Sequence, residues 1–190
     1  IIDMSSKAHV RDYSDSESLL DAICYQINNL LDKNEINQNN IRGLSVACPG
    51  PLDSKNGIIL NTPNLKLFRN YALKEKLKEH FNCKILVEND ANLFALGEWF
   101  LAHQEEKVFI GVTLGTGLGF GLVINGEMFV GKNGMAAEYG MSECEWGIWE
   151  SRISLAYIRS EIEKVYGEKI SPRIVQQYAL DGDYKAKKYL

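Results

Sequence analysis

The glycine-rich segment at residues 113–121, Thr-Leu-Gly-Thr-Gly-Leu-Gly-Phe-Gly, constrains the fold of this chain more than any other feature. It stands between two apolar runs, which predict strands over residues 108–114 and 120–124. Glycine lets backbone N–H groups approach an anion closely, and the Thr116 hydroxyl can donate as well, so the turn is a candidate phosphate site. The alternative is a tight hairpin in which the glycines only permit the turn. Because a strand and not a helix follows, the segment is not a dinucleotide-binding fingerprint.

A second polar segment, Glu-Asn-Asp-Ala-Asn at residues 88–92, lies between a predicted buried strand and a predicted helix at residues 91–101. Ligands of open α/β sheets bind at the carboxyl ends of strands. The N-terminus of a helix favours an ionised carboxylate, which suits Asp90 as a base that takes a proton from a hydroxyl group. The simpler interpretation is that Asp90 or Asn89 caps the helix, and the two roles are compatible.

Two further regions carry turn-forming, acidic and aromatic residues. Residues 48–53 and 60–65 combine prolines and asparagines after predicted strands, and they fit either ordinary turns or a rigid pocket rim with amide donors. Glu138 and Glu150 stand close in sequence to Tyr139, Trp146 and Trp149. Carboxylates that accept hydroxyl protons, with aromatic rings that cover a C–H face, are a common way to bind a sugar. Taken alone, the two tryptophans are more often part of a core.

The rest of the chain predicts a mixture of helices and strands. Apolar residues recur at helical spacing over residues 14–33, where Ser16 is the expected N-cap, and again near residues 73–81. Short strands are expected at residues 44–48, 57–60 and 84–87, and Asn125-Gly126 predicts a hairpin turn into residues 127–130. A helix is expected at about residues 148–166. Crossover and hairpin connections together predict an α/β fold with a mixed sheet flanked by helices.

Charge, cysteine content and hydropathy argue against several classes of function. The net charge of −4 argues against a nucleic-acid surface on this segment, because binding phosphates needs a basic face. The four cysteines form no C-x-x-C pair, so free thiols in a reducing cytosol are expected, with neither a zinc site nor a disulfide framework. No apolar run approaches the roughly 18 residues that a membrane span needs, and no signal peptide is visible. We therefore expect a cytoplasmic protein that does not bind a membrane.

In combination, these segments resemble the ROK family, which is named for repressors, open reading frames and kinases. The shared elements follow in order over residues 41–155. They are a Pro-Gly-Pro loop, an Asn-Thr-Pro-Asn-Leu stretch, the Glu-Asn-Asp-Ala-Asn segment, the Leu-Gly-Thr-Gly-x-Gly-x-Gly turn, a Glu-x-Gly element and a Gly-x-x-Glu helix start. The resemblance implies an actin-like ATPase, or ribonuclease-H-like, fold.

The resemblance also implies roles for individual residues. Asp90 matches the catalytic base of the family, which accepts the proton of the attacking sugar hydroxyl. The sugar-binding positions of the family match Gly50, Asn64, Asn89, Glu138 and Glu150. Its second phosphate-binding motif matches Gly115, Thr116, Gly117 and Gly119. The implied substrates are a hexose-type sugar and ATP with Mg²⁺, since phosphoryl transfer depends on positioning, charge neutralisation and a modest base.

This sequence departs from the family pattern near the second sugar-binding region. The family has a histidine three residues after the glutamate that matches Glu138, where it contacts sugar and ligates zinc, but this chain has Met141. The cysteine-rich zinc knot of the family is reduced here to Cys144, and one thiol cannot hold a structural zinc. We therefore predict no zinc, with Trp146 and Trp149 packed in place of the metal knot.

The ends of the sequence bear on its organisation. Family kinases begin with a strand that carries an Asp-x-Gly-Gly-Thr phosphate loop, and their last part contacts adenosine. Neither is recognised in residues 1–190, so the resemblance implies a central fragment that is incomplete at both ends. Residues 1–88 are then expected to belong to the N-terminal lobe. Residues 89–190 are expected to begin the C-terminal lobe, with the phosphate turn and sugar-binding segments.

Three functions are compatible with the sequence. The first is an ATP-dependent kinase of a hexose or an N-acetylhexosamine. The second is the sugar-sensing domain of a transcriptional repressor, whose helix-turn-helix would precede this segment. The third is a degenerate homologue without catalysis, which Met141 and the lost zinc knot favour but Asp90 and the glycine turn oppose. The resemblance also implies a homodimer, because the family commonly forms dimers.

Overall fold

The computed structural model describes residues 3–5, 7–63, 65–134 and 136–187, without the side chain of Asn133. The chain divides into two compact units, Ile1–Leu93 with Val130–Gly134, and Phe94–Phe129 with Met135–Leu190. The division falls within one helix, and the expected lobe boundary between residues 88 and 89 remains a prediction. The two units are described separately below.

In its described residues, the first unit contains the α-helices α1 and α2, the start of a third α-helix and two pairs of strands. Its elements are α1 (Ser16–Lys33), β1 (Gly43–Cys48), β2 (Leu52–Asp53), β3 (Ile58–Ile59), α2 (Leu73–His80) and β4 (Lys84–Asn89). β1 runs parallel to β4, whereas β2 and β3 form a short antiparallel pair. Because parallel strands end at the same edge of a sheet, the chain leaves β1 and β4 at one edge.

The start of α1 differs from the sequence prediction. Asp15, and not Ser16, is the N-cap, because its Oδ1 accepts a hydrogen bond of 2.8 Å from the amide of Ser18. That hydrogen bond is the main reason why the pKa of Asp15 lies below its ordinary value. A carboxylate at this position also satisfies the positive end of the helix dipole. Three buried side chains face the core: Leu19, Leu20 and Cys24.

The core of the first unit gathers apolar side chains from both helices and both pairs of strands. Its most buried members, each at most 2% exposed, are Leu20, Ile59, Phe68, Leu73, Leu77, Phe81, Ile85 and Val87. Burying an apolar side chain of this size contributes about 1.5–3 kcal/mol. The alternation of buried Ile85 and Val87 with exposed Leu86 follows the period of a strand and fixes the register of β4.

The second unit is built on a three-stranded antiparallel sheet. Its strands are β5 (Val108–Leu114), β6 (Leu118–Ile124) and β7 (Glu127–Met128), in that order. Helix α3 (Asp90–Ala102) begins in the first unit and continues in this one. A Cβ built on Gly111 would lie 2.6 Å from the Cβ of Ala95, so a glycine is required where β5 meets α3. Asn125 and Gly126 have φ angles of 51° and 84°, as the predicted two-residue hairpin turn requires.

Short elements complete the second unit. β8 (Glu143–Cys144) pairs with β9 (Gly147–Ile148), and α4 (Glu150–Ile153), α5 (Leu155–Tyr166), α6 (Pro172–Leu180) and α7 (Tyr184–Lys187) follow. The helix expected over residues 148–166 is interrupted at Ser154, which is 4% exposed and whose Oγ accepts a hydrogen bond from the amide of Tyr157. Ser154 therefore begins α5 as its N-cap. The sequence analysis missed α6, although Ser171-Pro172 is a typical helix start.

The α-helices, together with parallel and antiparallel pairs of strands, confirm the α/β class. Within the described ranges, the parallel and antiparallel pairs belong to separate small sheets and not to one mixed sheet. None of the helices described is both long enough and apolar enough to cross a lipid bilayer.

Candidate functional site

The carboxyl ends of β1 and β4 bring three of the candidate residues to one edge of the sheet. Cys48 pairs with Asn89 at the last position of both strands. Gly50 follows β1 in a loop, and Asp90 follows β4 as the first residue of α3. Gly50, Asn89 and Asp90 therefore lie at the edge where ligands bind in open α/β sheets.

Asn89 caps α3 and leaves the carboxylate of Asp90 exposed. The Oδ1 atom of Asn89 accepts hydrogen bonds from the amides of Ala91, at 2.9 Å, and Asn92, at 3.2 Å. Oδ1 of Asp90 accepts one hydrogen bond of 2.9 Å, from the amide of Ala91, and the side chain is exposed. Of the two roles open to this segment, capping falls to Asn89, and Asp90 keeps a carboxylate oxygen available to a ligand.

Glu88, which the sequence analysis did not single out, holds this edge together. Its Oε1 accepts hydrogen bonds from the Ser54 hydroxyl at 3.1 Å, the Asn89 amide at 2.8 Å and the Asn92 side-chain amide at 3.2 Å. Asn92 is only 5% exposed, so its side chain needs such a partner. Glu88 therefore fixes the junction from which Asn89 and Asp90 project. The four-residue spacing of Glu88 and Asn92 at a helix start was the available sequence signal.

The thiol of Cys48 lies at the same edge but is not activated. Burial raises the pKa of Cys48 to about 11, and the negative charge of Asp90 adds to the shift. Because the thiolate is the reactive form of cysteine, a thiol with this pKa is inert at neutral pH. Cys48 therefore serves in packing, as a buried free cysteine.

The glycine turn of the second unit offers open backbone donors. Gly115, Thr116 and Gly117 join β5 to β6, and the Gly115 amide donates to the Gly117 carbonyl at 3.0 Å. Neither glycine has a positive φ, so the turn does not need them for its backbone conformation. A Cβ on Gly115 would meet no atom within 4 Å. In the described part of the chain, the amides of Thr116 and Gly117 donate to no protein acceptor, which suits an approaching anion. Gly119 follows in β6, opposite Thr113.

Glu150 connects this turn to the start of α4. Its Oε2 accepts a hydrogen bond of 2.9 Å from the amide of Leu118, the first residue of β6. A Cβ built on Gly117 would lie 2.5 Å from the same oxygen, so the carboxylate reaches the turn only because residue 117 is a glycine. A second link joins the backbones, since the amide of Leu155 donates to the carbonyl of Gly115 at 2.8 Å.

Glu138 is a second carboxylate of the same unit. It is partly buried just before the short helical turn Tyr139–Met141. Burial, and to a smaller degree the charge of Glu150, raises the pKa of Glu138. Two carboxylates that feel each other's charge, and are partly withdrawn from water, suit a ligand that donates hydroxyl protons to them.

The β8–β9 hairpin lies at the point in the sequence where the family pattern has a zinc knot. Trp146 and Trp149 are 57% and 42% exposed, so the expectation that they pack there, and the interpretation that they form a core, are both wrong. Trp146 lies in the turn between β8 and β9, where few residues can cover it. In the ranges described, no three His, Cys, Asp or Glu side chains are grouped as metal ligands. Trp149 instead borders a cavity of about 290 Å³, lined by Leu118, Phe120, Tyr139, Ser142, Trp149 and Ile153.

The candidate residues thus form two groups, one in each unit. Gly50, Asn89 and Asp90 belong to the first unit, and the glycine turn with Glu138 and Glu150 belongs to the second. Asn64 lies outside the described residues. The ligands of all these positions remain predictions.

Known proteins resemble this chain in sequence and in fold. The model of the ROK family matches residues 1–187. The glucokinase of Thermotoga maritima is 39% identical over 98 residues, which are 51% of this chain and 31% of that protein. The xylose repressor of Caldicellulosiruptor bescii is 32% identical over 134 residues, which are 70% of this chain and 33% of that protein.

A solved structure supports the same relationship. A ROK family glucokinase from Streptomyces griseus, in complex with glucose and AMPPNP, matches with a TM-score of 0.71 at 27% identity. The match covers 92% of this chain and 63% of that chain. The actin-like fold implied by the resemblance is therefore confirmed. The chain spans about a third of the length of the curated relatives it matches.

Proposed function

Because the chain belongs to the ROK family, we propose that it forms the sugar-binding and catalytic core of an ATP-dependent kinase. The substrate class is a hexose or an N-acetylhexosamine, of which one hydroxyl group receives the γ-phosphoryl group of ATP. Glucokinases among the sequence relatives and structural neighbours support this proposal.

The observation that carries the proposal is the exposed carboxylate of Asp90 at the end of β4. Asn89 supplies the helix cap, so Asp90 is free to accept the proton of a sugar hydroxyl as that oxygen forms its bond to phosphorus. Positioning and a modest base suffice for phosphoryl transfer. The side-chain amide nitrogen of Asn89 faces no protein acceptor among the described residues and can donate to a sugar oxygen.

The second unit supplies groups suited to a phosphate and to sugar hydroxyls. The open amides of Thr116 and Gly117, beside the unobstructed Gly115, fit a phosphate group. Glu138 and Glu150 would accept hydrogen bonds from sugar hydroxyls. Mg²⁺ bound with ATP would neutralise the charge that develops on the phosphates, and it takes most of its ligands from phosphate and water.

A second candidate function is sugar sensing in a transcriptional repressor. The xylose repressor of Caldicellulosiruptor bescii aligns with 70% of this chain, a larger share than the 51% that the Thermotoga glucokinase covers. A sensor would need the sugar-binding carboxylates but neither the base nor the phosphate turn. Retention of both Asp90 and the glycine turn favours the kinase. The homodimer implied by the resemblance and the cytoplasmic location expected from the sequence remain predictions.

The proposal is tested by calorimetry and a phosphoryl-transfer assay on the intact protein. A panel of hexoses and N-acetylhexosamines is titrated with and without AMPPNP and Mg²⁺, and turnover is then measured with ATP. Binding of one sugar with transfer of phosphate supports the kinase. Sugar binding without phosphate transfer would overturn it in favour of the sensor, and absence of sugar binding would leave a degenerate homologue.

A further inference from the structure

We infer that Glu150 is a positioning residue for the glycine turn, so that one carboxylate links the sugar pocket to the phosphate site. In this arrangement, one oxygen of Glu150 holds the turn and the other faces the sugar. The binding of sugar then orders the turn that receives the nucleotide phosphate. The inference rests on the proposed kinase function, and it extends that function with a coupling between the two substrates.

The first observation is that the two carboxylate oxygens of Glu150 differ in their hydrogen bonds. Oε2 accepts the hydrogen bond of the Leu118 amide at 2.9 Å. Oε1 has no hydrogen-bond partner within the described ranges, so it is available to a hydroxyl donor. A hydroxyl bound at Oε1 would restrict the rotation of the carboxylate and thereby keep Oε2 on Leu118, because both oxygens lie on one planar group.

The second observation is that the turn depends on this contact. The Leu118 amide points away from the β5–β6 ladder, since the hydrogen bond that closes the turn runs from Gly115 to Gly117. Without Glu150, that amide has no acceptor among the residues described. Within the described ranges, the hydrogen bond from the Leu155 amide to the Gly115 carbonyl is then the one backbone link between the turn and the helices that follow. Among the residues described, Glu150 therefore supplies the one side-chain hydrogen bond at the start of β6.

The third observation is that the surrounding backbone leaves room for this carboxylate. A Cβ on Gly117 would come within 2.5 Å of Oε2. A Cβ on Gly140, two residues after Glu138, would collide with the carbonyl oxygen of Leu118. Glycines at these two positions let the Glu138 segment and α4 both close on Leu118. The residues that would hold the sugar thus pack directly on the start of β6.

Coupling between two ligands is reciprocal in binding free energy. Sugar should therefore tighten the binding of AMPPNP by the same factor by which AMPPNP tightens the binding of sugar. Coupling factors of this kind are typically about 5–150-fold, and a single shared carboxylate should place this one near the lower limit.

A ligand-free experiment tests the structural link in the intact protein. Hydrogen exchange of the Leu118 amide should accelerate at least about tenfold in Glu150→Ala, because the acceptor is lost. The matched control is Glu145→Ala, an exposed glutamate of the neighbouring hairpin, which should leave that exchange rate unchanged. Equal protection of Leu118 in wild type and Glu150→Ala would overturn the inference.

A double-mutant cycle provides an independent test that does not depend on any ligand. In wild type, Gly117→Ala should displace the Glu150 carboxylate from the Leu118 amide, and the loss of that hydrogen bond should lower the folding equilibrium constant by about fivefold. In a Glu150→Ala background the same change should cost less than about twofold, because the obstructing carboxylate is gone. An undiminished penalty in that background would contradict the contact.

The functional part is tested by calorimetry with glucose and AMPPNP, each in the absence and presence of the other. Wild type should show a coupling factor of about fivefold or more, and Gly117→Ala should reduce it to near one. If both ligands bind and their coupling survives in Gly117→Ala, the inference fails while the kinase proposal stands. If neither ligand binds to wild type, the kinase proposal itself fails, whereas the exchange result on Leu118 still decides the structural link.

Discussion

The side-chain oxygen of Asn89 lies 3.2 Å from the amide nitrogen of Asn92, across the first turn of α3. This contact separates two roles that the sequence left open. A side-chain oxygen that caps a helix accepts hydrogen bonds from backbone amides, whereas a catalytic base needs an oxygen that is open to a hydroxyl group. Because the cap is Asn89, substitutions at residues 89 and 90 should have different consequences.

Substitution of Asp90 should affect catalysis and leave folding intact. Asp90→Asn keeps the shape of an exposed side chain, so the free energy of unfolding should change by less than about 0.5 kcal/mol. Loss of the base should lower kcat by about 10²–10⁴-fold, with little change in sugar affinity. Steady-state kinetics and calorimetry on the intact protein check both. Unchanged turnover in this variant would contradict the assignment of Asp90 as base.

Substitution of Asn89 should instead affect stability. Asn89→Ala removes the acceptor for two helix amides and should reduce the free energy of unfolding by about 0.5–2 kcal/mol. Asn89→Asp keeps an acceptor oxygen at the N-cap and should retain most of that stability. Urea denaturation of the two variants gives the comparison, and equal destabilisation by both would show that capping is not the cause.

Gly115 permits a test of phosphate binding that does not perturb packing. Its Cβ would meet no atom within 4 Å, so Gly115→Ala should fold as stably as wild type. A methyl group at this point would obstruct an anion approaching the turn amides, and the KM for ATP should rise about tenfold or more, while sugar affinity in the absence of nucleotide stays the same. An unchanged KM for ATP would argue that the turn does not bind the phosphates of ATP.

Local sequence patterns predicted the longer strands to within about two residues at their ends, because apolar period and glycine or proline punctuation act at short range. The short strands β2, β8 and β9 were not predicted. The strand at residues 108–114 and the hairpin at Asn125-Gly126 are confirmed with their expected bounds or geometry. The parallel partnership of β1 and β4, by contrast, joins segments far apart in sequence. It was not predicted, since no local pattern specifies the register between distant strands.

The parts of the site that were not predicted depend on which polar groups form hydrogen bonds with each other in the folded chain. Glu88 was passed over although it accepts three hydrogen bonds, because a glutamate at a strand end has many alternative roles. The N-cap of α1 is Asp15 and not Ser16. The sequence did not distinguish them, because both residue types are good caps and local patterns place a helix boundary only to within one or two residues. The exposure of Trp146 could not be inferred from its apolar character alone.

Two glycines of the second unit should respond in opposite directions to alanine. Gly111→Ala places a methyl group 2.6 Å from the Cβ and 2.7 Å from the Cα of Ala95, so it should destabilise the protein by about 1–3 kcal/mol. Gly97→Ala meets nothing within 4 Å in the middle of α3 and should stabilise it by about 0.5–1 kcal/mol, because alanine loses less conformational entropy in a helix. Urea unfolding measures both, and a neutral Gly111→Ala would show that β5 and α3 can separate at little cost.

Glu138 should make stability depend on pH in a direction set by its raised pKa. Below the ordinary value of 4.5, the carboxyl group is protonated in the folded and the unfolded protein, so wild type and Glu138→Gln should respond alike. As the pH rises past that value, the unfolded chain ionises first, because burial and Glu150 oppose ionisation in the folded state. Wild type should therefore lose stability relative to Glu138→Gln until the folded group has also ionised, after which the difference stays constant. Urea unfolding from pH 3.5 to 8 measures this difference, with Glu145→Gln as a control substitution at an exposed glutamate. A difference that is constant across this range, or that shrinks as the pH rises, would mean that Glu138 is as well solvated in the folded protein as in the unfolded chain.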